Sequence, residues 1–216
     1  MLEVDVVVFT VVDNRLEVLL VRRDEPPFEN AWALPGGFVR LEEGLEEAAL
    51  RVLAEATGAT EVYLEQLFTF GKPDRDPRGR IVSVIYFALA SADKLTLPAR
   101  SDAATAWHQM YCLPPTAFDH ARILDYALRR LRYKLEYTAV AFQLLPAEFT
   151  LSELQDVYAI ILDEPQLDKR NFRKKLLKNG VVVSTPRFRQ TGGRPAQLYR
   201  FSDDQPFESK APRLFP

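Results

Sequence analysis

The sequence predicts an α/β (α+β) chain in two unequal parts: a mixed sheet between helices over residues 1–142, then a smaller helix–turn–helix–hairpin domain over 147–216. Three observations predict it. Runs rich in β-branched residues alternate with two helical patterns in the first part, the arrangement of a mixed α/β layer. From Thr150 onward two capped helices follow each other without an intervening strand and close on two short strand runs. Charge divides at the same place: residues 150–216 hold 12 Lys+Arg against 8 Asp+Glu, net +4, while the remainder of this −2 chain is −6. Opposite charges predict that the two parts meet different partners.

With 216 residues the chain can bury a substantial core, and 47% hydrophobic residues argue against global disorder. Its one cysteine, Cys112, rules out an intrachain disulfide and fits a reducing cytoplasm. The opening MLEVDVVVFTVV carries Glu3 and Asp5 and no basic segment, so it predicts a strand and not a signal peptide. No apolar run is long enough to span a bilayer. A cytoplasmic chain without a membrane partner is expected.

Residues 2–12 and 16–22 are strand-like and separated by Asp13-Asn14-Arg15, which predicts a hairpin. Arg22 and Arg23 end the second strand, and Pro26-Pro27 extend the loop that leads through Trp32 to Gly36-Gly37-Phe38. A helix begins near Leu45. On it Leu45, Ala48, Ala49, Val52, Leu53 and Ala56 form one apolar face, while Glu47, Arg51 and Glu55, four apart, can pair along another. Gly58 ends it. Residues 61–70, 81–90 and 106–112 read as strands, and 119–135 as a long helix. On that helix Leu124, Leu128, Leu131 and Leu135 repeat while Arg129, Arg130, Arg132 and Lys134 cover the outer face. The linker is placed at 140–148.

Beyond it, Thr150 and Glu153 form a capping box, and Leu151, Leu154, Val157, Tyr158 and Ile161 follow as a helix face. Asp168 caps a second helix, with Leu167 and Phe172 as a hydrophobic staple, and Asn179-Gly180 ends it. Residues 181–184 and 196–201 are strands around a basic turn, 186–195, and from Pro206 a loose or partner-clasping tail is expected. This order is that of a winged helix-turn-helix.

Between Lys169 and Arg194 stand nine basic residues and no acidic one. A basic helix is ordinarily just a solvated face. Here charge, element order and location coincide as readers of double-stranded DNA require. Arg170, Asn171 and Lys174 are the candidates for base edges, and Arg173, Lys175 and Lys178 for phosphates, with Lys169 in the same set. Arg187, Arg189 and Arg194 would reach phosphates or the adjacent minor groove. Phe172, Leu176 and Leu177 read as core.

A Gly-rich loop that delivers a helix with aligned carboxylates suits a metal-bound pyrophosphate. Residues 36–58, GGFVRLEEGLEEAALRVLAEATG, resemble the Nudix signature G-x5-E-x7-R-E-U-x-E-E-x-G-U, where U is a bulky apolar residue. Gly37, Glu43, Arg51, Leu53, Glu55 and Gly58 match it. Val52 and Ala56 stand where the family has metal-handling glutamates, and Ala59 is small for its position. Glu55, with Glu43 before the helix, is what remains of a cluster whose chemistry needs two or three carboxylates. No catalytic or metal-binding residue is therefore assigned, and no cofactor is required.

The loop Arg75-Asp76-Pro77-Arg78-Gly79-Arg80 resembles that of ADP-ribose-type Nudix proteins, and arginines on a proline-stiffened loop can fork onto a diphosphate or ribose phosphate. It is alternatively a plain polar connector. Arg22 and Arg23 can face the same ligand or be surface charge. Trp32 either stacks on a base or packs the glycine loop, and His108 and His120 read as structural. The candidate effector set is thus Arg22, Arg23, Trp32, Gly36, Gly37, Phe38, Glu55, Arg75, Asp76, Arg78 and Arg80.

Over nearly its whole length the chain resembles the Nudix-related transcriptional regulators of the NrtR family. The eroded signature, the 75–80 loop, Phe118-Asp119-His120, residues 134–138 (KLEYT), 149–154 (FTLSEL), 168–173 (DKRNFR) and 193–199 (GRPAQLY) carry the resemblance. It implies a Nudix-type mixed sheet followed by a winged helix, in a homodimeric repressor of NAD-metabolism or pentose-use genes. The implied partners are palindromic operator DNA and an effector, ADP-ribose or a similar nucleotide-sugar diphosphate, that modulates DNA binding. The alternative from another class is an active Nudix ADP-ribose pyrophosphatase. A third, an RNA-processing Nudix enzyme, suits the helix-and-wing order less well.

Overall fold

The computed structural model describes residues 1–59, 61–95, 105–190 and 195–202. Its contacts divide the chain into two compact units, Met1–Arg129 and Arg130–Pro216.

In the first unit, β1 (Leu2–Val12) and β2 (Arg15–Arg22) form the expected hairpin. Asp13 and Asn14 both take positive φ, 48° and 56°, which gives a two-residue turn the twist of its flanking strands. β3 (Trp32–Ala33), β4 (Gly36–Phe38), β5 (Tyr63–Phe70), β6 (Val82–Leu89) and β7 (Thr105–Gln109) complete a mixed sheet. Its order is β3-β2-β1-β6-β5, with β4 paired to β1 and β7 to β2. β1 runs parallel to β6 from Leu2↔Val82 to Phe9↔Leu89. A strand in that central position is covered on both faces, and Val4, Val6, Val7, Val8 and Phe9 are all fully buried.

α1 (Leu45–Thr57) lays Ala48, Ala49, Val52, Leu53 and Ala56 against Val4, Val6, Val8 and Val84. Gly58 ends it at φ 68°, its N–H donating to the Ala54 carbonyl. Glu47 does not join the ladder expected with Arg51: its carboxylate accepts from the Gly44 N–H at 2.7 Å and so caps the helix.

α2 (His120–Tyr137) begins in the first unit and ends in the second, so the division by contacts falls inside this helix. Two residues assigned to its outer face are drawn inward. Lys134 is buried, and Arg132 donates from Nε to the Ile161 carbonyl at 2.8 Å. Residues 140–148 are no free linker either. Val140–Leu144 form a 3-10 turn whose Val140, Ala141, Phe142 and Leu144 are buried, with Phe142 packed on Phe149 and Phe201. Burial of that much apolar surface holds the segment down.

α3 (Leu151–Leu162) starts from the expected box: Glu153 N–H donates to Thr150 Oγ1 at 3.1 Å, and Thr150 N–H to Glu153 Oε2 at 2.7 Å. α4 (Lys169–Lys178) is capped by Asp168, whose Oδ1 accepts from the Arg170 and Asn171 N–H groups, each at 3.0 Å. Leu167 and Phe172 are both buried, as a staple requires, and Phe172 packs on Tyr158. β8 (Val182–Arg189) and β9 (Ala196–Phe201) form the wing. β8 runs past the expected residue 184 because extra residues bulge into it: Ser184 opposes Tyr199, yet Phe188 opposes Gln197. The Gln197 side-chain amide closes this bulge by donating to the carbonyls of Thr185 and Arg187. Arg194, the Thr191-Gly192-Gly193 turn and the tail from 203 lie outside the described residues.

Candidate functional site

The glycine loop closes on β1 because it lacks side chains. A Cβ on Gly36 would lie 2.2 Å from Asp5 Oδ1 and 3.1 Å from the Val4 carbonyl. Arg51 then ties loop to helix. Its Nε and Nη2 donate to Glu43 Oε2 and Oε1 at 2.9 and 2.6 Å, and Nη2 also reaches the Phe38 carbonyl. The Arg51 hydrogen bonds, with the Arg40 N–H behind them, hold the Glu43 carboxyl down at about 2. Glu55 is on the open side of α1, 3.5 Å from Arg51 and 4.0 Å from Arg40. Val52 and Ala56 are buried in the core at the positions where the Nudix pattern has glutamates. With Glu43 forked by Arg51, these positions do not make a donor set for divalent metal, and among the described residues no group of three or more His, Cys, Asp or Glu does.

Beneath the loop is a buried ion cluster that local sequence does not announce. Arg75 forks onto Asp119, with Nη2–Oδ1 2.9 Å and Nε–Oδ2 3.3 Å, and stands 3.5 Å from Glu3 and 3.8 Å from Asp5. The side chain of Arg75, a candidate ligand contact, is 2% exposed and engaged by these carboxylates. Asp76 likewise serves Arg78, accepting from its backbone N–H and its guanidinium. Burial, and then the neighbouring Asp5, push the Glu3 carboxyl up to about 7. Burial pushes Asp5 up to about 6 against the pull of Ser83 and Arg75. His120 Nδ1 accepts the Leu34 N–H at 2.9 Å, and burial with Arg75 nearby holds its pKa at about 3. It is a neutral strut between the glycine loop and the start of α2.

Next to this cluster opens a pocket of about 370 Å³ lined by Phe28, Lys72, Asp74, Arg75, Pro77, Phe118, Asp119 and Arg122. Phe28 and Phe118 meet edge to face, centroids 4.9 Å apart. Arg23 and Arg78 lie over the Phe118 ring at 4.9 and 5.3 Å, and Arg78 also over Phe38 at 5.7 Å. Among the described residues Lys72 and Arg122 make no ion pair. Aromatic walls with available cations suit a phosphorylated ligand carrying a ring.

Of the candidate set, Arg75 lines the pocket, Arg23 and Arg78 lie over its Phe118 ring, and Asp76 and Phe38 contact Arg78, while Gly36 and Gly37 pair with β1. The fold leaves others apart. Arg22 donates to the Asn30 carbonyl, Arg80 to the Gly71 carbonyl, Trp32 packs on His108 at 4.4 Å, and Glu55 is solvated on α1. Phe28, Lys72 and Arg122 were missed. Phe28 takes a positive φ of 63° and Phe118 one of 52°, which no residue pattern around them signals.

In the second unit, Lys169, Arg170, Asn171, Arg173, Lys174 and Lys178 are exposed on α4, Lys175 is half-buried, and Phe172 and Leu176 face the core. Leu177, read as core, is 51% exposed. Arg173 donates to Ser152 Oγ at 2.9 Å. The two described wing arginines are engaged: Arg187 pairs with Glu148 at 3.3 Å, and Arg189 with Glu153 and the Glu148 carbonyl.

A Nudix domain model matches residues 1–127, and a model of the NrtR DNA-binding winged helix domain matches residues 141–201. The chain is 41% identical over 219 residues to the ADPR responsive transcriptional repressor NtrR of Acinetobacter baylyi, covering 99% of this chain and 86% of that one. It matches the crystal structure of Shewanella oneidensis NrtR complexed with a 27mer DNA at TM-score 0.85 and 39% identity, over 94% of each chain. The Nudix domain of that protein, complexed with ADP ribose, matches at TM-score 0.55 and 41% identity, over 61% of this chain and 88% of that one. A Nudix domain joined to this winged helix, matched along nearly the whole chain, makes it a member of the NrtR family of Nudix-related transcriptional regulators.

Proposed function

We propose that the chain is a DNA-binding transcriptional repressor whose Nudix unit binds ADP-ribose, or a related phosphorylated metabolite, and thereby modulates operator binding. The observation that carries this reading is the exposed cationic face of α4, in a winged helix joined to a Nudix unit with an aromatic, cation-lined pocket. The genes under control are those of NAD metabolism or pentose use. The active form is a homodimer on a palindromic operator, which sets two α4 helices on half-sites one DNA turn apart. The Nudix unit senses and does not cut, since Val52 and Ala56 offer no metal ligands. A cytoplasmic location follows from that role, and among the described residues no helix is long and apolar enough to cross a membrane.

The coupling runs along α2. Asp119 and His120 at its start belong to the pocket and ion cluster, and its last turns belong to the second unit. An anion that competes with Asp119 for Arg75 acts at the head of this helix. The test is fluorescence anisotropy of a palindromic duplex, selected from a random pool by the full chain, titrated with ADP-ribose. Release is expected; unchanged affinity at saturating ADP-ribose would sink the effector role. Mg²⁺-dependent AMP release from ADP-ribose by the wild type would overturn the non-hydrolytic reading.

A further inference from the structure

Arg187, Phe188 and Arg189 lie side by side on the wing, and the arginines are the expected DNA contacts. Both are instead held by carboxylates at the head of α3: Arg187 by Glu148, Arg189 by Glu153. Glu153 is doubly committed, since it also caps α3 through the Thr150 N–H. Phe188, between them, is 59% exposed. Alternation between the paired residues Phe188 and Arg189 puts the ring on the face opposite Arg189.

We propose that Phe188 is the wing's DNA contact, an apolar side chain laid into the minor groove beside the half-site read by α4. The inference rests on the DNA-binding reading above. Three features commit the residue to duplex DNA. First, the wing and α4 both reach the first turn of α3: Arg173 of α4 donates to Ser152, next to the Glu153 that holds Arg189. The wing is therefore anchored beside the cationic helix, whose charge attracts a polyanion. Second, Phe188 is preorganised, because the Gln197 amide closes the bulge that presents it. Third, the two described wing arginines are paired with glutamates and so offer less charge toward phosphates, while an apolar ring stands exposed between them. Proteins that enter the minor groove use phenylalanine as such a wedge.

The test compares full-length wild type, Phe188→Ala and Lys178→Ala on the selected duplex across a salt series. Burying a phenyl ring corresponds to about ten- to hundredfold in affinity, so Phe188→Ala should lose that much. Its salt slope should stay at the wild-type value, because no counterion-releasing charge is removed, while Lys178→Ala, at a phosphate candidate, should lower the slope by about 1 for each protomer. Phe188→Leu should retain part of the affinity. Phe188→Ala binding within about twofold of wild type would overturn the proposal. A dimer weakened by Phe188→Ala in sedimentation would also overturn it, assigning the ring to a protein contact. Wild type that binds no duplex at any salt would instead defeat the DNA-binding reading itself.

Discussion

At Gly36 a single methyl group decides whether β4 can pair with β1. The added Cβ of Gly36→Ala would meet Asp5, which is fully buried and held by Ser83. Overpacking of this kind costs about 1–3 kcal/mol. Gly36→Ala should lower the melting temperature and weaken ADP-ribose binding, measured by thermal unfolding and calorimetry. The buried carboxylates beneath it set a pH dependence. Asp5 titrates at about 6 instead of 3.8 and Glu3 at about 7 instead of 4.5, so folding favours their protonated forms. That stability is fully present below the unfolded values and is lost as pH rises through about 6 and about 7. Glu43 runs the other way: its contribution is present above 4.5 and lost as pH falls through about 2. Asp5→Asn cannot ionise, so thermal melts should show a shallower fall in stability between pH 3.8 and about 6. An unchanged slope would mean that Asp5 is not the group responsible. The sequence showed that the 75–80 loop was basic, but not which partner each arginine takes. Arg75 is claimed by Asp119, Glu3 and Asp5, all far along the chain, and such partners leave no local trace.

At the scale of elements, the caps were legible because their signals span at most four residues. Thr150 with Glu153, Asp168, and Gly58 all act as read. Asp168→Ala would strip two α4 N–H groups of their acceptor, and losing such a cap costs about 1 kcal/mol. The helix that would shift or fray carries the cationic face. Asp168→Ala should therefore weaken duplex binding without removing a positive charge, leaving the salt slope of binding unchanged. Elements shaped by distant partners were not legible. β8 is longer than its β-branched run because Gln197, on the other strand, closes the bulge. Residues 140–148 look like a linker until Phe142 is seen packed on Phe201. Leu177 fits the apolar count of α4, yet its neighbours Phe172 and Leu176 already fill the core side, leaving it exposed.

At the scale of the whole molecule, two binding functions share one chain, and thermodynamics links them whatever the route. A dimer making some six to ten phosphate contacts should lose roughly 10³- to 10⁵-fold in affinity between about 50 and 200 mM salt. If bound ADP-ribose leaves the phosphate contacts unchanged, it should shift this line without altering its slope. If ADP-ribose weakens DNA binding by some factor, saturating DNA must weaken ADP-ribose binding by that same factor. Calorimetric titration of ADP-ribose into the protein, with and without the selected duplex, measures the second factor, and anisotropy measures the first. Arg122→Ala removes a pocket cation that carries no ion pair among the described residues, so it should raise the ADP-ribose Kd while leaving duplex affinity without ligand unchanged. Asp119→Asn alters the group that joins the pocket to α2, so it should change the coupling factor itself. If Asp119→Asn altered ADP-ribose affinity alone and left the coupling factor at the wild-type value, α2 would not be the path by which the pocket reaches the winged helix.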